Sequence, residues 1–386
     1  MFLVHNLVRG ERLKELFLVA SMALLFMTVL LLTTPRLTYP QRALQTRGDH
    51  RAYIRMTLEP PGEYRLPPYC WRVMVPYVAK ILPFGIERNF LFIAFVSVWL
   101  TGVSMYYLAK LLDFSRSEAF VGMLLFFTLM YATKWLIADF WLPDGLAHLL
   151  IVWAIYFIIA RKDISFVLLL ALGVLVKENA LFVTPLYYTL NARKLIDLRL
   201  LARTVLLVTP AIAVLVAVRI GIPSSHSYDY LERLRRIGGE RLDTLGPSTI
   251  VESYLLRTFG VAVSLLPFFA IRRNLSLALR FSPFILLVYS QLLFATNTER
   301  LLVLAFPAMI LMALHGVREI CKVTNTQAIT FAFLVWALMA LNLHYRPRSP
   351  APIELQALLL VIFLAYTVQS SHRLPATSPV SQHTST

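Results

Sequence analysis

The strongest constraint on this chain is a series of long apolar stretches that recurs from one end to the other. A helix of about 20 apolar residues is long enough to cross the ~30 Å hydrocarbon core of a bilayer. The composition agrees, because 58% of the residues are hydrophobic and only 15% are charged. The sequence therefore predicts an all-α, polytopic membrane protein. Its two cysteines, Cys70 and Cys321, exclude a disulfide framework and a cysteine-rich metal site.

One apolar stretch, residues 164–191, is too long for a single span and is interrupted by Lys177 and Glu178. This interruption predicts a pair of short helices joined by a polar turn, which brings the total to about twelve crossings. The other predicted spans are 14–34, 88–110, 118–133, 145–160, 201–221, 253–271, 275–295, 300–315, 326–344 and 353–370.

Basic residues in the short connections orient these helices, because cytoplasmic loops collect Lys and Arg. On one side lie Arg9, Arg12, Lys110, Arg116, Arg161, Lys162, Arg193, Lys194, Arg199, Arg272, Arg273, Arg318, Lys322 and Arg373. We therefore predict a multi-pass protein of the plasma (inner) membrane with both termini in the cytoplasm. It consists of a single transmembrane domain over 1–370 with outer loops 35–87 and 222–252, and a disordered cytoplasmic tail over 371–386.

This topology brings acids and bases from four distant segments to the outer face. They are Asp49, Asp139, Asp144, Lys177, Glu178, Glu299 and Arg300. Ionisable residues at membrane depth are costly and often functional. Each also has a purely structural explanation: Asp144 could cap a helix, Lys177 and Glu178 could form a polar turn, and Glu299 and Arg300 could form a surface pair. Their shared face favours a functional site.

The first outer loop contains the most specific pattern. A helical spacing of Asp49 and Tyr53 would place both side chains on one face, one turn apart. Arginines at 47, 51 and 55 flank them. Guanidinium groups keep a nearby carboxyl charged and bind phosphates in a forked geometry. The pattern is typical of transfer from a phosphate-activated donor. Alternatively, Asp49 caps an interfacial helix over 50–57, and His50 contacts phosphate or solvent.

These motifs resemble those of the GT-C superfamily of integral-membrane glycosyltransferases, in particular members that use polyprenyl-phosphate sugars. The resemblance covers about 45–310. It rests on Gly48-Asp49 with Tyr53 after the first span, Tyr69, Arg72 and Pro76 before the second, the span that starts at Asp144, VLVKENALFVTP (174–185) and TERLLVLAFP (298–307).

The resemblance implies a GT-C-like helical bundle that moves a sugar from a lipid-phosphate-linked donor to a lipid, glycan or protein acceptor at the outer membrane face. It implies that Asp49 is the catalytic base. The predicted substrate-binding residues are Arg47, Arg51, Tyr53, Arg72, Asp144, Lys177, Glu178 and Arg300. No cofactor is certain: a divalent metal is possible, as some members of that superfamily use one, but the sequence Asp-His-Arg at 49–51 lacks the Asp-x-Asp pattern that would support it.

Two other functions fit the same residues. The charged groups could form the pathway of a transporter or lipid flippase, although such proteins often have paired halves and place their binding site at the midplane. The chain could also be a non-catalytic subunit of a cell-envelope complex that docks through 35–87. A nucleic-acid partner is disfavoured despite the net charge of +16, because the basic residues follow the membrane topology.

Overall fold

A computed structural model describes residues 2–37, 48–194, 196–244, 246–295, 298–344 and 351–372. Over these ranges the chain is helical and contains no strand. The predicted site residue Arg47 and the predicted tail beyond His372 lie outside the described residues.

The first helices are α1 (Phe2–Thr33), α2 (His50–Leu58), α3 (Met74–Ile81), α4 (Ile86–Leu111), α5 (Arg116–Thr128), α6 (Lys134–Ala138), α7 (Asp144–Ile159), α8 (Asp163–Val176), α9 (Thr184–Asn191) and α10 (Leu198–Gly221).

The later helices are shorter up to Thr249 and long again towards the end of the chain. They are α11 (Tyr230–Arg233), α12 (Gly239–Thr244), α13 (Pro247–Thr249), α14 (Arg257–Leu265), α15 (Ile271–Ser290), α16 (Thr298–Leu302), α17 (Phe306–Thr324), α18 (Phe331–His344) and α19 (Ile353–His372). Short 3₁₀ or π-helical turns join several of them, and α16 to α17 run as a nearly continuous helical stretch. Between α13 and α15 the backbone leaves the helical conformation at Gly260, and the Tyr289 hydroxyl donates a 3.0 Å hydrogen bond to the Tyr254 carbonyl, so this part of the chain doubles back.

Six helical stretches in the described part of the chain are long and apolar enough to cross a membrane. They are Glu11–Thr33, Ile86–Leu111, Leu198–Gly221, Pro247–Leu293, Thr298–Thr324 and Ile353–Ser371. Three further apolar helices, Asp144–Ile159, Asp163–Val176 and Ala328–Leu343, are shorter than a typical span. The protein is therefore a multi-pass membrane protein by helix length and composition, but the predicted count of about twelve crossings is not confirmed.

The interruption expected within 164–191 is present. Helix α8 ends at Val176, where Lys177 takes an extended backbone conformation with φ −165° and ψ 133°. A 3₁₀ helix over Glu178–Val183 follows, and Pro185 lies in the first turn of α9, where its missing N–H costs nothing. The break lets two consecutive charged side chains leave the helix at one point, instead of facing lipid from a continuous helix.

The first outer loop folds onto the start of α4 and α7 through its own hydrophobic cluster. Tyr53, Ile54, Phe90 and Trp141 are almost completely buried in this cluster. Trp141 also donates an indole hydrogen bond of 2.8 Å to the Leu37 carbonyl. These contacts hold α2 in a fixed position, and Asp49 lies at its N-terminus.

The two loops predicted to face outward also contact each other. The backbone N–H of Ser225 donates to the Arg65 carbonyl over 2.8 Å, and the Trp71 indole donates to the Ile222 carbonyl over 3.1 Å. Arg219 at the end of α10 lies over the Trp71 ring, 4.7 Å from its centroid. The second outer loop is thereby held beside the first.

Helix α17 is the most deeply buried span and packs closely against the 3₁₀ turn Leu266–Ala270. Gly316 makes this contact possible, because a Cβ atom at this position would lie 1.9 Å from the Leu266 carbonyl oxygen. The neighbour is backbone, so a rotamer change cannot relieve the clash.

We expect Gly316→Ala to destabilise the protein by about 1–3 kcal/mol, because overpacking forces a backbone shift. The thermal unfolding midpoint in detergent measures the loss. Gly221→Ala is the matched control, since a Cβ atom there meets nothing within 4 Å. Equal midpoints for the two variants would contradict the close contact between α17 and the 266–270 turn.

Candidate active site

The Asp49 carboxylate lies at the N-terminus of α2 but does not cap it, since its side chain accepts no hydrogen bond from the first helical turn. Instead, Oδ1 accepts a hydrogen bond of 2.7 Å from the Tyr69 hydroxyl, and Oδ2 one of 2.6 Å from Arg300 Nη2. The capping explanation is therefore wrong. Burial alone would raise the pKa of Asp49, but the Arg300 guanidinium and the Tyr69 hydrogen bond lower it below its usual value.

Arg300 links Asp49 to a second carboxylate, Asp144. Its Nε lies 3.8 Å from Asp144 Oδ1, too far for a hydrogen bond but close enough for strong attraction. The same oxygen accepts a 2.7 Å bond from Lys177 Nζ. Both side chains of the Asp144–Lys177 pair are 4% exposed. Asp144 is the first residue of α7 and caps nothing, so its role is the ion pair.

Arg72 forms the third ion pair. Its guanidinium binds Glu178 in a forked geometry, with Nε donating to Oε2 over 2.9 Å and Nη2 donating to Oε1. Its Nη1 donates a 3.0 Å hydrogen bond to the Tyr53 hydroxyl, and Tyr53 packs edge-on against the Tyr69 ring. The two tyrosines therefore connect the Arg72–Glu178 pair with Asp49.

The three pairs lie beside an open cavity of about 360 Å³. Three carboxylates and three cations face one another here, so the group is neutral in total while every member is wholly or partly buried. Apolar residues complete the wall. The cavity is lined by Asp49, Pro68, Tyr69, Arg72, Lys177, Glu178, Asn179, Phe182, Tyr228, Arg233, Ser290, Gln291, Phe294, Ala295, Arg300 and Leu301.

Most of the residues predicted from the sequence come together in this arrangement: Asp49, Tyr53, Arg72, Asp144, Lys177, Glu178 and Arg300. Arg51 does not join them, and within the described residues it forms no ion pair. Side chains two positions apart on a helix do not face each other, so Arg51 and Asp49 leave the helix in different directions. The prediction that neighbouring arginines surround Asp49 is therefore wrong for Arg51.

Three other predicted groups have different partners from those expected. His50 is buried, and its Nδ1 lies 3.4 Å from Asp139 Oδ2, so neither residue lines the cavity. Glu299 accepts a hydrogen bond from Thr298 and leaves its neighbour Arg300 to Asp49 and Asp144. Within the described residues, no group of three or more His, Cys, Asp or Glu side chains is placed to hold a metal ion.

Sequence reasoning assigned no role to three other cavity residues: Tyr69, Tyr228 and Arg233. Tyr69 belongs to the motif before the second span, but its spacing gives no sign that it binds Asp49. Arg233 is half-buried, lies 4.5 Å above the Tyr228 ring and forms no ion pair with another described residue. Its position in the second outer loop, which was expected on the same face as Asp49, was the available signal.

Comparisons with known proteins show a distant likeness in fold. No protein-family model matches the chain, and no curated protein matches it in sequence. Among solved structures, it is similar to the oligosaccharyltransferase of Archaeoglobus fulgidus crystallised with a tethered acceptor peptide, at TM-score 0.43 and 13% identity. The match covers 92% of this chain and 54% of that one, so this chain spans about half the length of that enzyme. A likeness at this level supports no functional conclusion.

The buried ion pairs lead to a stability prediction. We expect Asp144→Asn to cost about 3–5 kcal/mol, because it leaves the Lys177 ammonium buried without its main counter-charge. Glu252→Gln is the control: it breaks an ion pair with Arg257 whose side chains are 52% and 48% exposed, and it should cost about 1 kcal/mol or less. Unfolding midpoints in detergent measure both. Similar small losses in the two variants would mean that water reaches Lys177 freely.

Proposed function

We propose that this chain is a GT-C-like membrane glycosyltransferase that moves a sugar from a lipid-phosphate-linked donor to an acceptor at the outer membrane face. The observation that supports it most is the position of the Asp49 carboxylate, which lines a cavity together with Arg72, Lys177 and Arg300. A carboxylate base and several cations beside one cavity are the groups that sugar transfer from a phosphate donor needs. The sequence motifs that resemble the GT-C superfamily contain these same residues.

The reaction gives each group a role. An acceptor hydroxyl attacks the anomeric carbon, the new glycosidic bond forms, and the bond from that carbon to the donor phosphate breaks. Asp49 takes the hydroxyl proton as general base. The lipid phosphate leaves with a negative charge, and arginines stabilise that charge in the transition state. The apolar side chains of Phe182 and Phe294 line the same cavity and can contact the donor.

The ion pairs impose an order on these events. Arg300 is bound to Asp49, which keeps the carboxylate charged but also makes it a weak base. A donor phosphate would compete for Arg300. As Arg300 turns towards the phosphate, Asp49 loses the cation that lowers its pKa and becomes a stronger base. Donor binding would thus activate the base before the acceptor reacts.

Asp49→Asn tests the catalytic role. The amide keeps the shape of the side chain. Its oxygen can still accept the hydrogen bond from Arg300 and its NH2 group can donate to the Tyr69 hydroxyl, but it cannot take the proton. We expect the transfer rate to fall by about a hundredfold or more, with little change in folded yield. The measurement follows radiolabelled sugar from polyprenyl-phosphate sugars in proteoliposomes into acceptor fractions.

Glu63→Gln, which changes an acid of the same outer loop that does not line the cavity, is the matched control and should leave transfer unchanged. Near-normal transfer by Asp49→Asn would place the base elsewhere. Substrate flux without a glycosylated product would instead favour a transporter. Loss of a partner enzyme's activity on deletion of this protein, with Asp49→Asn fully competent, would favour a non-catalytic subunit.

The acid limb of the pH profile supplies a second test. Transfer needs the carboxylate form of Asp49, so kcat/KM of the free enzyme should fall only below the usual pKa of an aspartic acid. Tyr69→Phe removes a hydrogen bond that lowers this pKa, so the acid limb should move to higher pH. Tyr64→Phe, in the same loop but outside the cavity, should not move it. An acid limb that stays in place in Tyr69→Phe would argue against Asp49 as the titrating group.

A further inference from the structure

A second charged cavity lies at the opposite end of the helical bundle. It has a volume of about 340 Å³ and is lined by residues from four connections and helices. Its polar wall contains Arg161, Asn191, Arg273, Ser276 and Arg280, and its apolar wall contains Leu112, Ile159, Leu190, Leu277 and Phe281. No acid lines it.

The helix directions show that this cavity is far from the Asp49 site. Helix α7 begins at Asp144, in the ion-pair cluster, and ends at Ile159, beside the second cavity. Helix α15 runs the other way: Arg273 lies near its start, and Ser290 at its end lines the Asp49 cavity. The two cavities are therefore at opposite ends of the same helices.

The arginines of the second cavity carry charge that the protein itself does not neutralise. Arg161 forms no ion pair with any described residue. Arg280 donates a 3.2 Å hydrogen bond to the Leu190 carbonyl, which is a neutral acceptor. Arg273 has only a loose, exposed contact with Glu319, at 3.8 Å. Three guanidinium groups around one cavity favour an anionic ligand, and their forked geometry suits a phosphate.

The backbone at Arg161 is a second, independent observation. Its φ is +55°, in the left-handed region where a helix normally ends with glycine or asparagine. An arginine at this position is unfavourable for the turn itself. Strained residues of this kind mark functional positions when the side chain has a use. Arg161 lines the cavity, so its position indicates a role in binding a ligand there.

We propose that this cavity binds the phosphate headgroup of an anionic phospholipid from the surrounding bilayer, independently of the enzymatic activity. Basic pockets between helix ends at the cytoplasmic surface bind anionic lipid headgroups. The apolar wall continues into a lipid-facing helix surface, where Leu275 and Leu279 of α15 are 60% and 64% exposed. The arginines hold the headgroup, and the acyl chains lie along that surface of α15.

The test measures binding of fluorescent phosphatidylglycerol to the full-length protein in detergent micelles, with phosphatidylcholine as the neutral comparison. We expect the wild type to prefer phosphatidylglycerol and the Arg161→Gly/Arg280→Gln double variant to bind it about tenfold more weakly. Arg272→Gln is the matched control, because Arg272 lies in the same turn as Arg273 but outside the cavity. It should bind like the wild type.

Arg161→Gly alone separates a ligand site from a structural role. Glycine suits the positive φ, so without lipid the unfolding midpoint should stay level or rise. The additional rise on adding phosphatidylglycerol should become smaller than in the wild type. A lower midpoint without lipid and an unchanged lipid effect would overturn the proposal. So would equal binding of phosphatidylcholine, equal loss in Arg272→Gln, or full stabilisation by inorganic phosphate without lipid.

Discussion

The contact between Asp49 and Arg300 is the interaction on which the site depends. It joins two residues that are 251 positions apart, one at the start of a short outer helix and the other at the start of α16. Neither charge could remain buried alone, since an isolated ion away from water costs several kcal/mol. The two segments must therefore meet for the outer end of the bundle to form. Tyr69 completes the contact from a third segment.

The charge balance of the cluster explains both its stability and its proposed use. Each of Arg72, Lys177 and Arg300 already has a carboxylate partner, so these six groups carry no net charge together. A bound phosphate would add negative charge to a balanced site. Arg233 lines the same cavity and forms no ion pair with another described residue, so it is a further cation that can offset this charge.

The charged side chains of the two cavities differ in their pairing. At the Asp49 end, acids and bases from separate segments neutralise one another inside the fold. At the opposite end, arginines line a cavity that has no acid among its described residues. Their charge is available to bind an external anion. We propose that an anionic lipid headgroup supplies this anion. The same fold thus contains one internally balanced site and one that depends on its surroundings.

Much of the local structure could be predicted from particular residues. The apolar stretches predicted the long helices, because a run of about 20 such residues has no stable place outside lipid or a core. Lys177 and Glu178 predicted the end of α8, because two charges cannot continue a helix through lipid cheaply. The short helix expected over 50–57 is present as α2, with Asp49 immediately before it.

The pairing of the charges was decided by the tertiary structure alone. Sequence proximity suggested that Arg51 would lie beside Asp49 and that Glu299 could pair with Arg300. Instead, Arg300 pairs with Asp49, and Glu299 accepts a hydrogen bond from Thr298. Local spacing determines which way a side chain leaves its helix, whereas an ion pair depends on where a second helix lies. Arg233 and Tyr69 line the cavity for the same reason, because the position of their segments depends on the tertiary structure. The sequence by itself determined that charges would collect at one end of the bundle, and the packing of the outer loops on α4 and α7 decided their partners.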